Sequence, residues 1–128
     1  MKRRKGFTLA ELLVVVAIIA VLVAISIPIF TSQLHKAEVA TDWANIRSYY
    51  SEIQTDYITT GKYNPKVPDY FLHRYDTTEI TFLNGNKVKL KAGSYLVTFS
   101  NDQKGYQIIY SCNDGHKDCS LTLNVSNS

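Results

Sequence analysis

The sequence contains little that supports catalysis. Its 128 residues include only three histidines, two cysteines and six glycines. None of the histidines (His35, His73 and His116) stands beside a serine or cysteine in a motif whose geometry would suit a catalytic triad. Glycine-rich phosphate loops, H-E-x-x-H and C-x-x-C patterns are also absent. We therefore expect no enzymatic activity and no cofactor.

The chain also lacks a basic surplus beyond its first residues. Lys and Arg number 14 against 11 Asp and Glu, but four of the basic residues stand at positions 2–5, so the remainder has a side-chain balance of −1. This balance gives no argument for nucleic acid as a partner. A chain of this length has room for one small domain beside a membrane segment, which excludes a two-domain enzyme.

What the sequence does have is one long apolar run. Residues 12–30 carry no charge, and only Ser26 and Pro28 interrupt the aliphatic side chains. The run meets the roughly 20 apolar residues that span a hydrocarbon core. An acid, Glu11, stands at its start, where an unpaired carboxylate costs about 2.5–3.5 kcal/mol on insertion scales. The basic residues at 2–5 favour the cytoplasmic side for the N-terminus and send the chain after residue 30 outward.

Residues 1–6 are too short and too polar for an ordinary secretory signal. An uncleaved signal anchor is the alternative, but an anchor has no use for Glu11. The basic leader ending in Gly6, the following Phe-Thr-Leu-x-Glu-Leu and the apolar run with an internal proline resemble the N-terminus of type IV prepilins. The resemblance extends from residue 2 to about residue 57, with Ala10 standing where a larger aliphatic residue is common.

This resemblance implies three segments: a leader over 1–6, a transmembrane and filament-core helix half over 7–30, and a globular head over 31–128. It implies that a prepilin peptidase cuts between Gly6 and Phe7 and methylates the new amine of Phe7. It further implies that Glu11 pairs with the Phe7 amine of a neighbouring subunit in the filament. Within one chain, Glu11 could instead meet its own N-terminus. Pro28 removes a helix hydrogen bond, which predicts a weak point that the resemblance associates with local extension on assembly.

The helical pattern continues to about residue 57. Apolar side chains repeat at spacings of three and four: Val39, Trp43, Ile46, Tyr50, Ile53 and Tyr57. We expect the opposite face to be polar, with Lys36, Asp42, Asn45, Arg47, Ser48 and Glu52. A helix from residue 7 to 57 would be roughly 75 Å long, so its first half should protrude from the domain. The pattern ends near Gly61, which suits a helix C-terminus.

After an irregular, aromatic-rich connection over 62–78, alternating patterns predict strands at 79–83, 87–91, 95–99, 106–110 and 121–125. Asn84-Gly85-Asn86 is a hairpin signal. We expect an antiparallel meander with one face on the helix. The predicted fold is therefore α+β: a long N-terminal helix whose C-terminal half packs on a small antiparallel sheet, as in type IV pilins.

The two cysteines, Cys112 and Cys119, enclose six residues near the C-terminus, in the part of the chain expected outside the membrane. We expect a disulfide between them. The alternative is a metal cluster that adds His116, flanked by Asp114 and Asp118. Its ligands are too closely spaced for a closed zinc site, so we expect no metal.

Taken together, the residues and the resemblance favour a structural subunit that forms a homo-oligomeric helical pilus filament, for adhesion, motility or a related purpose. The implied partners are the prepilin peptidase, the inner-membrane assembly platform and minor pilins. The chain would lie in the cytoplasmic membrane as a single span before assembly, and in the extracellular pilus afterwards. The alternative is a pseudopilin of a type II secretion or DNA-uptake machine, which shares this N-terminus. An acidic calcium loop such as those of major secretion pseudopilins is not apparent.

Overall fold

The structure, a computed structural model, describes residue 6 and residues 8–69, 77–100, 104–113 and 117–125. In these ranges one helix precedes a set of short strands: α1 (Leu9–Thr60), β1 (Glu79–Thr81), β2 (Lys87–Lys89), β3 (Gly93–Phe99), β4 (Tyr106–Cys112), a 3₁₀ helix (Lys117–Cys119) and β5 (Leu121–Leu123). The chain divides into an N-terminal unit, Met1–His35, and a C-terminal unit, Lys36–Ser128. The α+β prediction is confirmed.

In the N-terminal unit, α1 carries its apolar residues on every face. The large apolar side chains between Leu9 and Phe30 are 46–74% exposed. The helix is long and apolar enough, by length and composition, to cross a membrane. It continues through Pro28 without interruption, although the proline cannot donate a hydrogen bond to the carbonyl of Ala24.

The end of α1 follows the sequence signal. Gly61 comes directly after the last helical residue and has φ of 71°. Its N–H donates to the carbonyl oxygen of Tyr57 at 2.7 Å. A left-handed glycine that satisfies a terminal carbonyl is a common helix stop, because glycine bears no Cβ that this conformation would strain.

The strands are antiparallel, but they form two sheets where the sequence predicted one meander. One sheet pairs β1 with β2 around the Asn84–Asn86 turn, where Gly85 has φ of 93°. The other has the order β3-β4-β5. Among the described residues, a single bridge between Thr77 and Tyr95 connects them, with two backbone hydrogen bonds of 2.9 Å. Because Thr77 lies two residues before β1 and no residue of β1 itself pairs with β3, the ladder does not continue into one sheet.

The core of the C-terminal unit lies between α1 and these strands. It includes Ile46, Ile53, Ile80, Ile108 and Tyr110, each with no exposed surface. Trp43 and Tyr57, expected in the buried stripe, pack at its margin. The stripe prediction was incomplete because Tyr49, which it omitted, is also fully buried.

One assignment on the helix was wrong. Asp42 was expected on the solvent face, yet it has no exposed surface. Its Oδ1 accepts a hydrogen bond from the backbone N–H of Lys91 at 2.8 Å, and its Oδ2 accepts from the N–H of Ala92 at 2.8 Å. The hydroxyl of Tyr110 donates to the same Oδ2 at 2.7 Å. The carboxylate is buried because these three donors replace its water, which offsets the cost of desolvation.

Those contacts make Asp42 a fully buried polar link between the helix and the sheet. They tie α1 to the segment that leads into β3 and to the middle of β4. Burial, reinforced by the hydrogen bond to Asp42, raises the pKa of Tyr110 well above the usual range of a phenol. The hydroxyl therefore stays protonated and continues to donate.

The connection after α1 begins with a turn in which Val67 donates its N–H to the carbonyl of Asn64 at 3.1 Å. The ring of Tyr63 stacks on Tyr57 of the helix with centroids 4.7 Å apart. This contact packs an aromatic residue of the connection on the helix. Residues 70–76 of the same connection lie outside the described ranges.

Candidate processing and assembly site

The helix start is built by a reciprocal pair of hydrogen bonds between Thr8 and Glu11. The N–H of Thr8 donates to Oε2 of Glu11 at 3.2 Å, and the N–H of Glu11 donates to Oγ1 of Thr8 at 3.2 Å. The carbonyl of Thr8 accepts the first helical bond, from the N–H of Leu12 at 3.1 Å. This is a capping box, with Thr8 as the N-cap residue.

This local role of Glu11 was not predicted from the sequence, although its signal is present there. A threonine followed three residues later by a glutamate, directly before an apolar run, is the readable signature of a capping box. The carboxylate also lies where the helix dipole favours negative charge. Glu11 therefore has a reason to stand at the helix start within its own chain, in addition to any role between chains.

The predicted cleavage junction is only half described. Gly6 is exposed, and a Cβ placed on it would have no neighbouring atom within 4 Å. Phe7, which the resemblance makes the new N-terminus, lies outside the described residues. In the described part of the chain, the only hydrogen-bond partner of the Glu11 side chain is Thr8.

The cysteine prediction is supported: Cys112, the last residue of β4, forms a disulfide with Cys119, with Cα atoms 5.9 Å apart. Both cysteines are about 95% buried. The indole N–H of Trp43 donates to the carbonyl of Cys119 at 3.0 Å. The bridged loop is thereby attached to α1.

The disulfide leaves no free thiolates for the alternative metal cluster of Cys112, His116 and Cys119. A cluster of Cys112, His116 and Cys119 needs two free thiolates, and both sulfurs are used in the disulfide. His116 and Asp114 lie outside the described residues, as does His73. His35 lies on α1 and is half-buried.

Comparison with known proteins places the similarity at the N-terminus. A family model described as the prokaryotic N-terminal methylation motif matches residues 1–27. The chain is 48% identical over 52 residues to the type IV narrow pilus major component PilA5 of Thermus thermophilus, covering 38% of this chain and 45% of that protein. It is 46% identical over 39 residues to the fimbrial protein EcpB of Eikenella corrodens, covering 30% of this chain and 24% of the relative.

These matches span less than half the length of either relative. No solved structure matches the chain significantly. The methylation motif nevertheless coincides with the capped start of an exposed apolar helix, and that helix continues into a unit with small antiparallel sheets. Together, the motif, the named relatives and this architecture make the chain similar to type IV pilins, with the sequence similarity confined to its N-terminal part.

Proposed function

We propose that this chain is a structural subunit that polymerises into a type IV pilus. In this proposal a prepilin peptidase cleaves between Gly6 and Phe7 and methylates the Phe7 amine. The observation that carries the proposal is the apolar helix of the N-terminal unit, exposed on every face and bearing one acid at its start. The relatives' names, which refer to a pilus and to fimbriae, favour a pilus over a secretion pseudopilus.

The exposed apolar helix is suited to two successive environments, first the membrane and then the filament. In the membrane its side chains face lipid, and in a filament they would face the helices of other subunits. Leu, Val and Ile side chains pack without directional contacts, so an all-aliphatic bundle has no strong preference for one axial offset. A polar contact at the helix start would supply that preference.

Glu11 is placed to make such a contact. Cleavage would create a cationic amine on Phe7, one residue before the cap residue Thr8. The capping box engages Oε2 of Glu11, and a carboxylate retains acceptor sites for a further donor. An amine of a neighbouring subunit about 4 Å away would gain roughly 4 kcal/mol at an effective dielectric near 20, less the cost of desolvation. This energy is enough to select one register.

Pro28 has a proposed role in the same transition. Because it donates no hydrogen bond to the carbonyl of Ala24, the turn between these residues has fewer bonds to break than its neighbours. The hydroxyl of Thr31 donates to the carbonyl of Ile27 at 2.9 Å, an added local bond beside this turn. We propose that the helix lengthens here when the subunit enters the filament.

The test separates the charge of Glu11 from its capping role. Glu11→Gln retains an acceptor that suits the capping box but removes the charge. Thr8→Ala retains the charge but removes the cap, at a cost of about 1 kcal/mol to the helix start. We expect Glu11→Gln to abolish most surface filaments and Thr8→Ala to leave filaments near the wild-type level. Glu38→Gln, on the same helix in the C-terminal unit, is the matched control.

Filaments are measured in shear preparations, and the membrane pool is measured by immunoblotting. Mass spectrometry establishes whether each variant begins at N-methylated Phe7, so that a processing defect is not mistaken for an assembly defect. If Glu11→Gln is processed and assembles normally, the charge is not the assembly contact. If Thr8→Ala fails as completely as Glu11→Gln, the defect comes from loss of the cap.

A further inference from the structure

Two tyrosines of the C-terminal unit stack on each other where α1 ends. Tyr57 lies in the last turn of α1, and Tyr63 follows shortly after the helix ends at Thr60. Their ring centroids are 4.7 Å apart, and their ring planes are inclined by 28°. Both residues are half-buried, so part of the pair is open to solvent.

The hydroxyl groups of this pair are neighbours. Burial, the electrostatic effect of the Tyr57 phenol and a side-chain hydrogen bond to Tyr57 raise the pKa of Tyr63. The hydroxyl of Tyr63 also donates to the carbonyl oxygen of Gly105 at 3.4 Å. Because the hydroxyls adjoin in two stacked rings, the ring carbons ortho to them also lie close together. Tyrosyl radicals join to each other at these carbons.

We infer that Tyr57 and Tyr63 form an oxidative crosslinking site, at which a one-electron oxidant joins the two rings as dityrosine. Each phenol gives one electron to the oxidant and one proton to water, which leaves a tyrosyl radical. The radicals couple through one ortho carbon of each ring. The hydrogen on each coupled carbon then moves to the oxygen of its ring, which restores both phenols.

The coupling balances with a peroxide as the final electron acceptor. The two phenols lose two electrons and two protons in all. Hydrogen peroxide, activated by a haem peroxidase, takes up both and becomes two waters. The inference needs one copy of the chain and a peroxide, and it does not rest on the proposed function.

Stacking suits this coupling because the unpaired electron of a tyrosyl radical occupies the π system of the ring. The lobes of that system point above and below the ring, so the new bond starts across two stacked faces. The ring of Phe99, whose centroid is 4.0 Å from that of Tyr63, packs beside the pair but has no hydroxyl and cannot compete. Holding the two radicals together also gives each a high effective concentration of the other.

Three other tyrosine pairs meet edge to face. Tyr106 lies 5.2 Å from Tyr63 and 6.1 Å from Tyr57, with ring planes inclined by 77° and 74°. Tyr106 is also buried, with 1% of its surface exposed. The rings of Tyr49 and Tyr95 are 6.0 Å apart and inclined by 71°, and both residues are buried. In such pairs the π lobes of the two rings do not face each other, so we expect little coupling.

A bond between the two rings would join the last turn of α1 to the connection that follows Gly61. The unfolded chain would keep this bond, which reduces its conformational entropy. The oxidised protein should therefore unfold at a higher urea concentration than the untreated protein.

The experiment oxidises the unaltered full-length chain in non-ionic detergent micelles, at several protein dilutions. One series uses hydrogen peroxide with a haem peroxidase. A second series uses photoexcited tris(bipyridyl)ruthenium with persulfate, which takes the same two electrons and becomes two sulfates. This small oxidant ensures that access of a large enzyme does not decide the result. Fluorescence detects dityrosine, and mass spectrometry of proteolytic peptides assigns the bond.

We expect the Tyr57–Tyr63 bond to be at least about tenfold more abundant than any other tyrosine crosslink. It should appear in a monomer that is lighter by two hydrogen atoms, with the same yield at every dilution. Absence of this bond in the second series, or crosslinks mainly between copies or between other tyrosines, would overturn the inference.

Oxidation in urea separates the stacked geometry from closeness in the sequence. The two tyrosines are six positions apart, so an unfolded chain also brings them together at times. Unfolding should reduce the yield of the bond at least about tenfold. An equal yield in urea would show that stacking does not select the pair, and the inference would be wrong.

Variants then assign the phenols. Tyr57→Phe and Tyr63→Phe keep the aromatic rings and each remove one phenol, so either should lower dityrosine fluorescence about tenfold. Tyr49→Phe is the matched control, because it removes one phenol from an edge-to-face pair and should leave the yield unchanged. Wild-type yield in Tyr57→Phe or Tyr63→Phe would contradict the assignment. Because the dilution and urea series use the unaltered chain, they decide the matter even if a variant fails to fold.

Discussion

Replacing Asp42 by alanine tests whether the buried carboxylate joins the helix to the sheets. The substitution leaves three donors without their acceptor: the N–H groups of Lys91 and Ala92 and the hydroxyl of Tyr110. Each hydrogen bond to a charged acceptor contributes about 1.5–3 kcal/mol. The bond from the Lys91 amide is only part-buried, so water can replace it in part. We therefore expect a loss of about 3–5 kcal/mol from the free energy of unfolding.

The free energy of unfolding of Asp42→Asn should lie between that of Asp42→Ala and that of the native chain. The amide oxygen can occupy the position of Oδ2 and still accept from Ala92 and Tyr110, but the amide nitrogen then faces the N–H of Lys91. We expect a loss of about 2 kcal/mol, as for one unsatisfied donor next to another. Asp118→Ala, at an exposed aspartate of the same unit, is the control and should change the free energy by less than about 0.5 kcal/mol.

Trp43, the only tryptophan of the chain, gives the readout. Its indole contacts the Cys119 carbonyl, so its fluorescence should change when the C-terminal unit unfolds. Full-length chain in non-ionic detergent is unfolded by heat and by urea. A loss of 3 kcal/mol should lower Tm by at least about 12 °C for a unit of this size. If Asp42→Ala costs less than about 1 kcal/mol, or no more than Asp118→Ala, Asp42 does not hold the helix to the sheets.

Three further expectations follow from the same unit. The hydroxyl of Tyr49 is buried without a hydrogen-bond partner among the described residues, so Tyr49→Phe should leave the free energy of unfolding unchanged or raise it. Tyr110→Phe removes the bond to Asp42 and should lower the free energy of unfolding, measured in urea, by about 1–3 kcal/mol. Burial raises the pKa of Tyr49 and of Tyr110. Above about pH 10 the unfolded chain therefore loses protons that the folded chain retains. The free energy of unfolding should fall as pH rises, which alkaline unfolding scans can measure. Cys112→Ser with Cys119→Ser should lower that free energy by about 2–3 kcal/mol, and alkylation of the folded, non-reduced wild type should label neither cysteine.

The features that the sequence predicted are those set by neighbouring residues. The apolar run, the stop at Gly61 and the turn at Gly85 each depend on a few adjacent side chains or on one glycine conformation. Strand positions were predicted well, but their ends moved: β1 and β2 end at Thr81 and Lys89, whereas β3 begins at Gly93. Strand ends depend on the partner strand, which alternation within one segment does not reveal.

The contacts that the sequence did not predict join residues far apart in the chain. Asp42 meets Ala92 and Tyr110, which lie 50 and 68 positions away. Trp43 meets Cys119 across 76 positions. Neither distance leaves a local pattern, so the partners of Asp42 and Trp43 required the fold. The division into two sheets has the same origin, because within the described residues the two sheets are bridged only between Thr77 and Tyr95.

The two acids Glu11 and Asp42 show how neighbouring residues determine whether an acid is recognised from sequence as functionally or structurally important. Glu11 attracted attention because uninterrupted apolar residues follow it, which makes an isolated carboxylate conspicuous. Asp42 stands between Thr41 and Trp43 in a mixed segment, where a charged residue ordinarily faces water. Its position, three residues after Val39 and four before Ile46, nevertheless places it on the buried stripe by helical spacing alone. An acid on an apolar stripe therefore predicts buried donors opposite it, and here those donors are the backbone amides before β3 and the hydroxyl of Tyr110.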